Sequence, residues 1–184
     1  MKTRINPNTW SWFHEPKLYI FSADKLILET EPNSELNTLE EGKISAFGLL
    51  GEQLENTVFE SRIDYKFQNV LDECGLLIKI NEHDFWKYGV RSKNKDINEV
   101  FCEHYINGYL DGSYRDIGKG ISNLYFRISF LENHLFFLCG TDGKRFRNMR
   151  RVEFGDKIST IPGIYACSPG NSYFDCTFSK IEIG

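Results

Sequence analysis

Carboxylates and cations alternate along several short stretches of this chain, and they are the residues with chemistry to offer. Between Thr57 and Phe67, the polar residues Glu60, Arg62, Asp64 and Lys66 recur with a period of two, while Phe59, Ile63, Tyr65 and Phe67 take the other parity. Lys87 and Arg91 alternate in the same way against Trp86, Tyr88 and Val90, and Glu103, Tyr105, Tyr125 and Arg127 extend the pattern. Planar hydrogen-bonding groups beside aromatic rings suit a polyhydroxylated ligand, because the polar groups meet hydroxyls and a ring accepts the C–H face of a sugar. Taken as one polar sheet face, Glu60, Arg62, Asp64, Lys87, Arg91, Glu103, Tyr105, Tyr125 and Arg127 form a charged ligand-binding groove. Arg62, Lys87, Arg91 and Arg127 would donate, and Glu60 and Asp64 would accept. The competing expectation is an ion-paired face at Glu60, Arg62 and Asp64, with Tyr105 and Tyr125 packed under a neighbouring loop. Trp86 and Tyr88 share parity with Val90 and are assigned to the core.

The same carboxylates limit hydrolytic chemistry. Four strand residues place Glu60 and Asp64 ~13 Å apart, whereas glycoside-hydrolysing pairs sit about 5–5.5 Å or 6.5–9.5 Å apart. A cross-strand pair, such as Asp64 with Glu103, would be needed instead. A second charged feature is the run 144–151, in which Lys144, Arg145, Arg147, Arg150 and Arg151 have no acid between them. Arg145 and Arg147 are its candidate anion-binding residues, for a phosphorylated sugar or an acidic partner; the alternative is a hairpin whose arginines pair with nearby acids. The four histidines show no H-x-H or H-x-x-x-H spacing and the cysteines no C-x-x-C, so no metal and no cofactor is expected. Five irregularly spaced cysteines read as reduced, buried, small hydrophobes rather than a disulfide framework.

These groups must be positioned by strands, since period-two alternation is what a helix would not give. Leu76, Ile78 and Ile80 alternate with Leu77 and Lys79; Leu124, Phe126, Ile128 and Phe130 alternate with Tyr125, Arg127 and Ser129. Residues 134–138 form a continuous apolar run, as in a strand buried on both faces. Asn107-Gly108, Asp111-Gly112, Asp142-Gly143 and Pro162-Gly163 read as turns. Residues 31–46 alternate weakly and read as a long loop with at most one short strand. The expected fold is all-β: two antiparallel sheets stacked as a sandwich, in one domain spanning 1–184.

Composition narrows the classes of function. The 184 residues are 41% hydrophobic and 15% aromatic with a net charge of −4, and the pI is about 5.6. A nucleic-acid footprint is therefore absent, and no apolar run is long enough to span a membrane. Two basic residues near the start are not followed by an apolar segment, which points to a cytoplasmic protein rather than a secreted one. Sheet edges leave monomer and homodimer both open.

Four stretches taken together resemble a known family. They are Asn6-Pro7-x-x-Trp10; Asp72-x-Cys74-Gly75-Leu76-Leu77-Ile78-Lys79 followed by Phe85-Trp86-Lys87-Tyr88-Gly89-Val90; Asp142-Gly143-Lys144-Arg145-Phe146-Arg147-x-x-Arg150; and Gly163-Ile164-Tyr165-Ala166-Cys167-Ser168-Pro169. Their order and spacing resemble the family typified by the fungal regulation-of-enolase protein. The resemblance covers about residues 5–183 and implies the concanavalin A-like lectin/glucanase jelly roll. Residues 35–48 depart from that family's aromatic-rich pattern. The glucanase signature of that superfamily, Glu-x-Asp-x-x-Glu, does not occur. The leading functional expectation is a non-catalytic protein that binds a small sugar, glycan or sugar derivative on a concave sheet. The alternatives are a protein-interaction module acting on a metabolic enzyme, and a glycoside hydrolase.

Overall fold

The computed structural model describes residues 2–53, 58–153 and 159–184. Thr57, with which the first alternating stretch opens, lies outside the described residues. In chain order the strands are β1 (Thr3–Arg4), β2 (Ser11–His14), β3 (Tyr19–Ser22), β4 (Lys25–Glu29), β5 (Phe47–Leu50), β6 (Val58–Tyr65), β7 (Glu73–Asn81) and β8 (Asp84–Ser92). They continue with β9 (Ile97–Ile106), β10 (Tyr109–Gly118), β11 (Asn123–Leu131), β12 (His134–Gly140), β13 (Arg147–Glu153), β14 (Ile161–Cys167) and β15 (Asp175–Ile183). They form two antiparallel sheets. The first has the order β13-β12-β11-β6-β15-β4-β3, with β1 also paired to β15. The second has the order β10-β9-β8-β7-β14-β5-β2. The fold is an antiparallel jelly-roll sandwich, as the alternation implies.

The central strands of both sheets each contribute an apolar row to the interior. Leu76, Ile78, Trp86, Tyr88, Val90 and Val100 from the second sheet meet Phe59, Ile63, Phe126, Ile128, Phe137 and Phe178 from the first. The aromatics lock the two layers: Tyr88 meets Phe126 edge-on at 5.1 Å, and Trp86 lies 5.0 Å from Phe137. Offset and edge contacts of this kind add to the burial of the rings themselves. All five cysteines are buried and unpaired.

Three local expectations are corrected. Residues 134–138 belong to β12, of which only Leu135, Phe137 and Cys139 are buried. Phe136 faces outward beneath the Arg151 guanidinium, 5.6 Å away, so that apolar run has one buried face. Asp111-Gly112 lies inside β10, and Pro162-Gly163 inside β14, paired with β7. At both places cross-strand pairing overrides local turn propensity. Asn107-Gly108 does close a hairpin, with φ values of 49° and 83°.

The long loop 31–46 does not hang free. Leu36, Leu39 and Ala46 pack on Leu77, Phe85, Phe101, Tyr165 and Cys167, which face away from the main core. The loop thus covers part of the second sheet's outer face with a small second core. Its start is held by buried bonds, Ser34 N donating to Ser168 O at 3.0 Å and Ser168 N to Ser34 Oγ at 2.8 Å, and its end by Ala46 N donating to Glu35 O at 3.0 Å.

Candidate functional site on the outer face of the second sheet

Register across β14, β7, β8, β9 and β10 sets the side chains of this face in rows. One row runs Cys167, Glu73, Arg91, Glu99, Asp116. The next runs Tyr165, Gly75, Gly89, Phe101, Tyr114, and the third runs Gly163, Leu77, Lys87, Glu103, Gly112. Opposite charges stand directly across from one another at Glu73–Arg91, Arg91–Glu99 and Lys87–Glu103, which stabilises the sheet face, while Lys93 bridges the like-charged pair Glu99 and Asp116.

The result is a buried ion network. Lys87 Nζ donates to Glu73 Oε1 at 2.9 Å and lies 3.2 Å from Glu103 Oε2. Arg91 Nε donates to Glu99 at 2.9 Å, and its terminal nitrogens reach Glu73 at 3.5 Å and Glu103. The side chains of Lys87, Glu73 and Glu103 are only 5%, 6% and 3% exposed, so each charge depends on its partners rather than on water. Aromatic faces complete the enclosure: Lys87 Nζ lies 5.1 Å from the Tyr105 ring centre, and the Arg91 guanidinium 4.2 Å from that of Phe101. Burial works to raise the pKa of Glu103, but the Lys87 ammonium and Arg91 guanidinium outweigh it and hold the carboxyl below its ordinary range. Burial works equally against the charge on Lys87, yet Glu73 and Glu103 push its pKa above the ordinary lysine value. Cys167 lies 3.6 Å from Glu73, and burial drives its thiol pKa well up, which leaves it unreactive.

At the rim, the network meets solvent beside two tyrosines. Tyr105 stacks flat on Phe85, with ring centres 4.9 Å apart. Tyr114 is 50% exposed and its hydroxyl donates to Glu103 Oε1 at 3.2 Å. The Tyr114 ring folds back over Gly112, where a Cβ would come within 2.2 Å of its hydroxyl oxygen. Gly112 thus gives the Tyr114 ring room to lie here, whereas a side chain at 112 would displace it. A cavity of about 160 Å³ opens at the edge of loop 31–46, lined by Leu36, Asn37, Glu73, Lys87, Arg91 and Tyr105 among others.

The nine candidate ligand residues do not share a face. Lys87, Arg91, Glu103 and Tyr105 come together here. Glu60, Arg62, Asp64, Tyr125 and Arg127 lie on the outer face of the first sheet, on the other side of the sandwich. There Glu60 is buried between Lys2 at 2.5 Å and Arg127 at 2.7 Å, and Arg62 pairs with Asp64 at 2.6 Å. That is the ion-paired alternative. Tyr125 is 8% exposed, because the turn after β12 folds over it; Gly143, at φ 69°, would place a Cβ 2.7 Å from its ring. The cross-strand pair Asp64 with Glu103 is excluded for the same reason, since the two belong to different sheets.

The basic run divides as well. Arg150 bonds Asp111 and Ser113 of β10, and Arg115 donates to Asn148 O at 3.1 Å, so these links close the side of the sandwich where β10 and β13 are the sheet edges. Arg151 bonds His134 Nε2 at 2.6 Å. Lys144, Arg145 and Arg147 are exposed and have no carboxylate partner among the described residues. Glu73, Glu99, Tyr114 and Tyr165 escaped the sequence reading, although Glu99 continues the Glu103–Tyr105 alternation and Glu73 opens β7 with outward parity. His104, one of the four histidines without metal-ligand spacing, is half-buried, bonds Asp84 at 2.7 Å and stacks on Trp86 with centres 3.9 Å apart.

Two stacked antiparallel sheets, with a polar constellation on an outer face, define a jelly-roll β-sandwich. The chain belongs to the family described as protein of unknown function DUF1349, which matches residues 12–184. It is 21% identical over 173 residues to regulation of enolase protein 1 of Saccharomyces cerevisiae, covering 92% of this chain and 86% of that protein. A crystal structure of a functionally unknown protein from Saccharomyces cerevisiae superposes with a TM-score of 0.84 at 19% identity, covering 98% of both chains. A carbohydrate-binding module, CBM66 of Bacillus subtilis, superposes with a TM-score of 0.59 at 10% identity, covering 94% of this chain and 93% of its own. At these identities the structural likeness concerns the fold.

Proposed function

We propose that this protein is a non-catalytic binding protein that holds a carbohydrate or sugar-derived ligand on the outer face of the second sheet. The observation that carries the reading is Tyr114, an exposed ring that lies against Gly112 and is tied through its hydroxyl to a buried ion network. The ring offers an apolar platform; Tyr105 and Arg91 offer polar groups beside it, and buried Glu103 holds the Arg91 guanidinium and the Tyr114 hydroxyl from beneath. Arginine and carboxylate side chains already locked by mutual bonds lose little freedom on binding. Similarity to a carbohydrate-binding module supports the same reading.

Catalysis fits the site poorly. Glu73 and Glu103 sit on one ammonium and are therefore close to each other. A glycosidase dyad needs one carboxyl with a raised pKa to act as acid, and Lys87 and Arg91 drive Glu103 the opposite way.

The test is a glycan array followed by a thermal-shift panel of sugars and sugar phosphates. A hit should lose at least tenfold in affinity in Tyr114→Ala and in Glu103→Gln, and be unaffected by Arg62→Gln on the opposite face. Absence of any saturable hit, or equal loss in all three variants, would overturn the reading. A second reading, a protein-interaction module, is favoured by the exposed apolar tip of the β9–β10 hairpin, where Ile106, Tyr109 and Leu110 are 37%, 78% and 51% exposed. The name of the yeast relative agrees with it.

A further inference from the structure

The strands β13, β3, β10 and β2 stand at the ends of the two sheets, and three of them are guarded. β13 carries Arg147, Arg150 and Arg151, and β10 carries Asp111, Arg115 and Asp116. Charge on an edge opposes pairing with a further strand, and so does a bulge. β2 has the second device, a register shift between Trp12 and His14. β3 has neither. Its sequence, Tyr19-Ile20-Phe21-Ser22, is uncharged and pairs with β4 in unbroken register. Leu18 and Ile20 are 62% and 61% exposed. The Trp12 ring holds the strand from the inner side, with centres 4.9 Å from Tyr19 and 5.9 Å from Phe21.

The open edge of β3 is complementary to itself. Glu29 N donates to Leu18 O at 3.0 Å. Bonding alternates along an antiparallel strand, so Leu18, Ile20 and Ser22 direct their backbone groups to β4. Tyr19 and Phe21 turn theirs outward, where no described segment pairs with them. A two-fold axis at Ile20 sets Tyr19 of one copy opposite Phe21 of the other, and Phe21 opposite Tyr19. Both become hydrogen-bonded pairs, and Ile20 meets its own image between them as the closer, non-hydrogen-bonded pair. The side chains agree with this register. Ile20 stands across from half-buried Ile27 on the outer face, so two copies would join Ile27, Ile20, Ile20 and Ile27 into one apolar row with Leu18 diagonal to it. No residue from 18 to 22 is charged, so no charge faces its like.

We propose that this chain pairs with a second copy of itself through β3, antiparallel about Ile20, making the two first sheets one continuous sheet. A strand this short buries less than the ~800 Å² per partner of a standard interface, so the dimer is weak and reversible. Sedimentation equilibrium of the full chain, from micromolar to near-millimolar concentration, should show monomer and dimer in exchange. Ile20→Lys should weaken the dimer at least tenfold and leave the thermal midpoint of the dilute protein unchanged, because that side chain is exposed. Leu131→Lys, 60% exposed on β11 and remote from β3 in the sheet order, should change nothing. Cross-linking tests the register. Paired Ile20 Cα atoms would be ~4.5 Å apart, within disulfide range, so Ile20→Cys should give a covalent dimer on mild oxidation. Ser22→Cys, with its two copies ~13 Å apart along the strands, should not. The five native cysteines are buried and should not contribute. Overturning results are a monomer at every concentration, which would leave the edge to a foreign strand; a dimer that survives Ile20→Lys or is lost equally in Leu131→Lys; or cross-linking no better at position 20 than at 22.

Discussion

Lys87 illustrates how one residue type takes on different roles in different surroundings. It is 4% exposed, bonded to two carboxylates and flanked by aromatic faces, whereas the Lys2 side chain is 35% exposed beside Glu60. Removing one member of a buried ion group strands its partners without solvent. Lys87→Met should therefore cost about 3–5 kcal/mol, and Lys2→Met no more than about 1 kcal/mol. Urea unfolding of the two variants beside the parent measures both; equal losses would mean that the network is solvated after all. The alternation of Lys87 against Trp86 and Tyr88 is legible in the sequence. Its partnership with Glu73 is not, because the two stand fourteen positions apart and are diagonal on the sheet, Lys87 being opposite Leu77 and Glu73 opposite Arg91.

At the scale of elements, loop 31–46 decides how much of the second sheet is available. Its sequence shows no period because it forms no strand; it follows the sheet and drops Leu36 and Leu39 into a small second core. An irregular segment that buries two leucines is a structural lid rather than a mobile loop. Leu36→Ala should destabilise the protein by about 2–4 kcal/mol, within the range for buried leucines. Hydrogen exchange should quicken in residues 34–46 while β11 stays protected. Equal acceleration in both would show that the second core and the main core are one unit. The hairpins were easier to read. Asn107-Gly108 closes where it should, but Asp111-Gly112 and Pro162-Gly163 carry turn chemistry inside strands, because pairing on neighbouring strands overrides a two-residue signal.

Across the whole molecule, one aromatic core joins both sheets, and the Arg150 and Arg115 links join their edges. Such a body should unfold in one cooperative step. The five cysteines belong to buried positions in that body. A thiol reagent should label none of them in the native protein and all five at the midpoint's far side, with labelling tracking the fluorescence transition. Early labelling of a subset would reveal a less stable portion.

The sequence by itself determined the class of fold and, in the strands whose polar and apolar residues alternate, which side chains point inward; the unbroken apolar run of β12 hid its outward face. Period two is a property of the extended backbone, so Phe59, Ile63, Trp86, Tyr88 and Phe126 could be assigned to the core without knowing their neighbours. The four quoted motifs likewise led to the family. What only the tertiary structure decided is which sheet each strand joins. Alternation separates in from out but is identical for both layers of a sandwich, so Glu60, Arg62 and Asp64 looked continuous with Lys87, Arg91 and Glu103. Strand order places the first set on one outer face and the second on the other. Register then assembles Glu73, Lys87, Arg91 and Glu103 into one network, a long-range arrangement that no local spacing encodes.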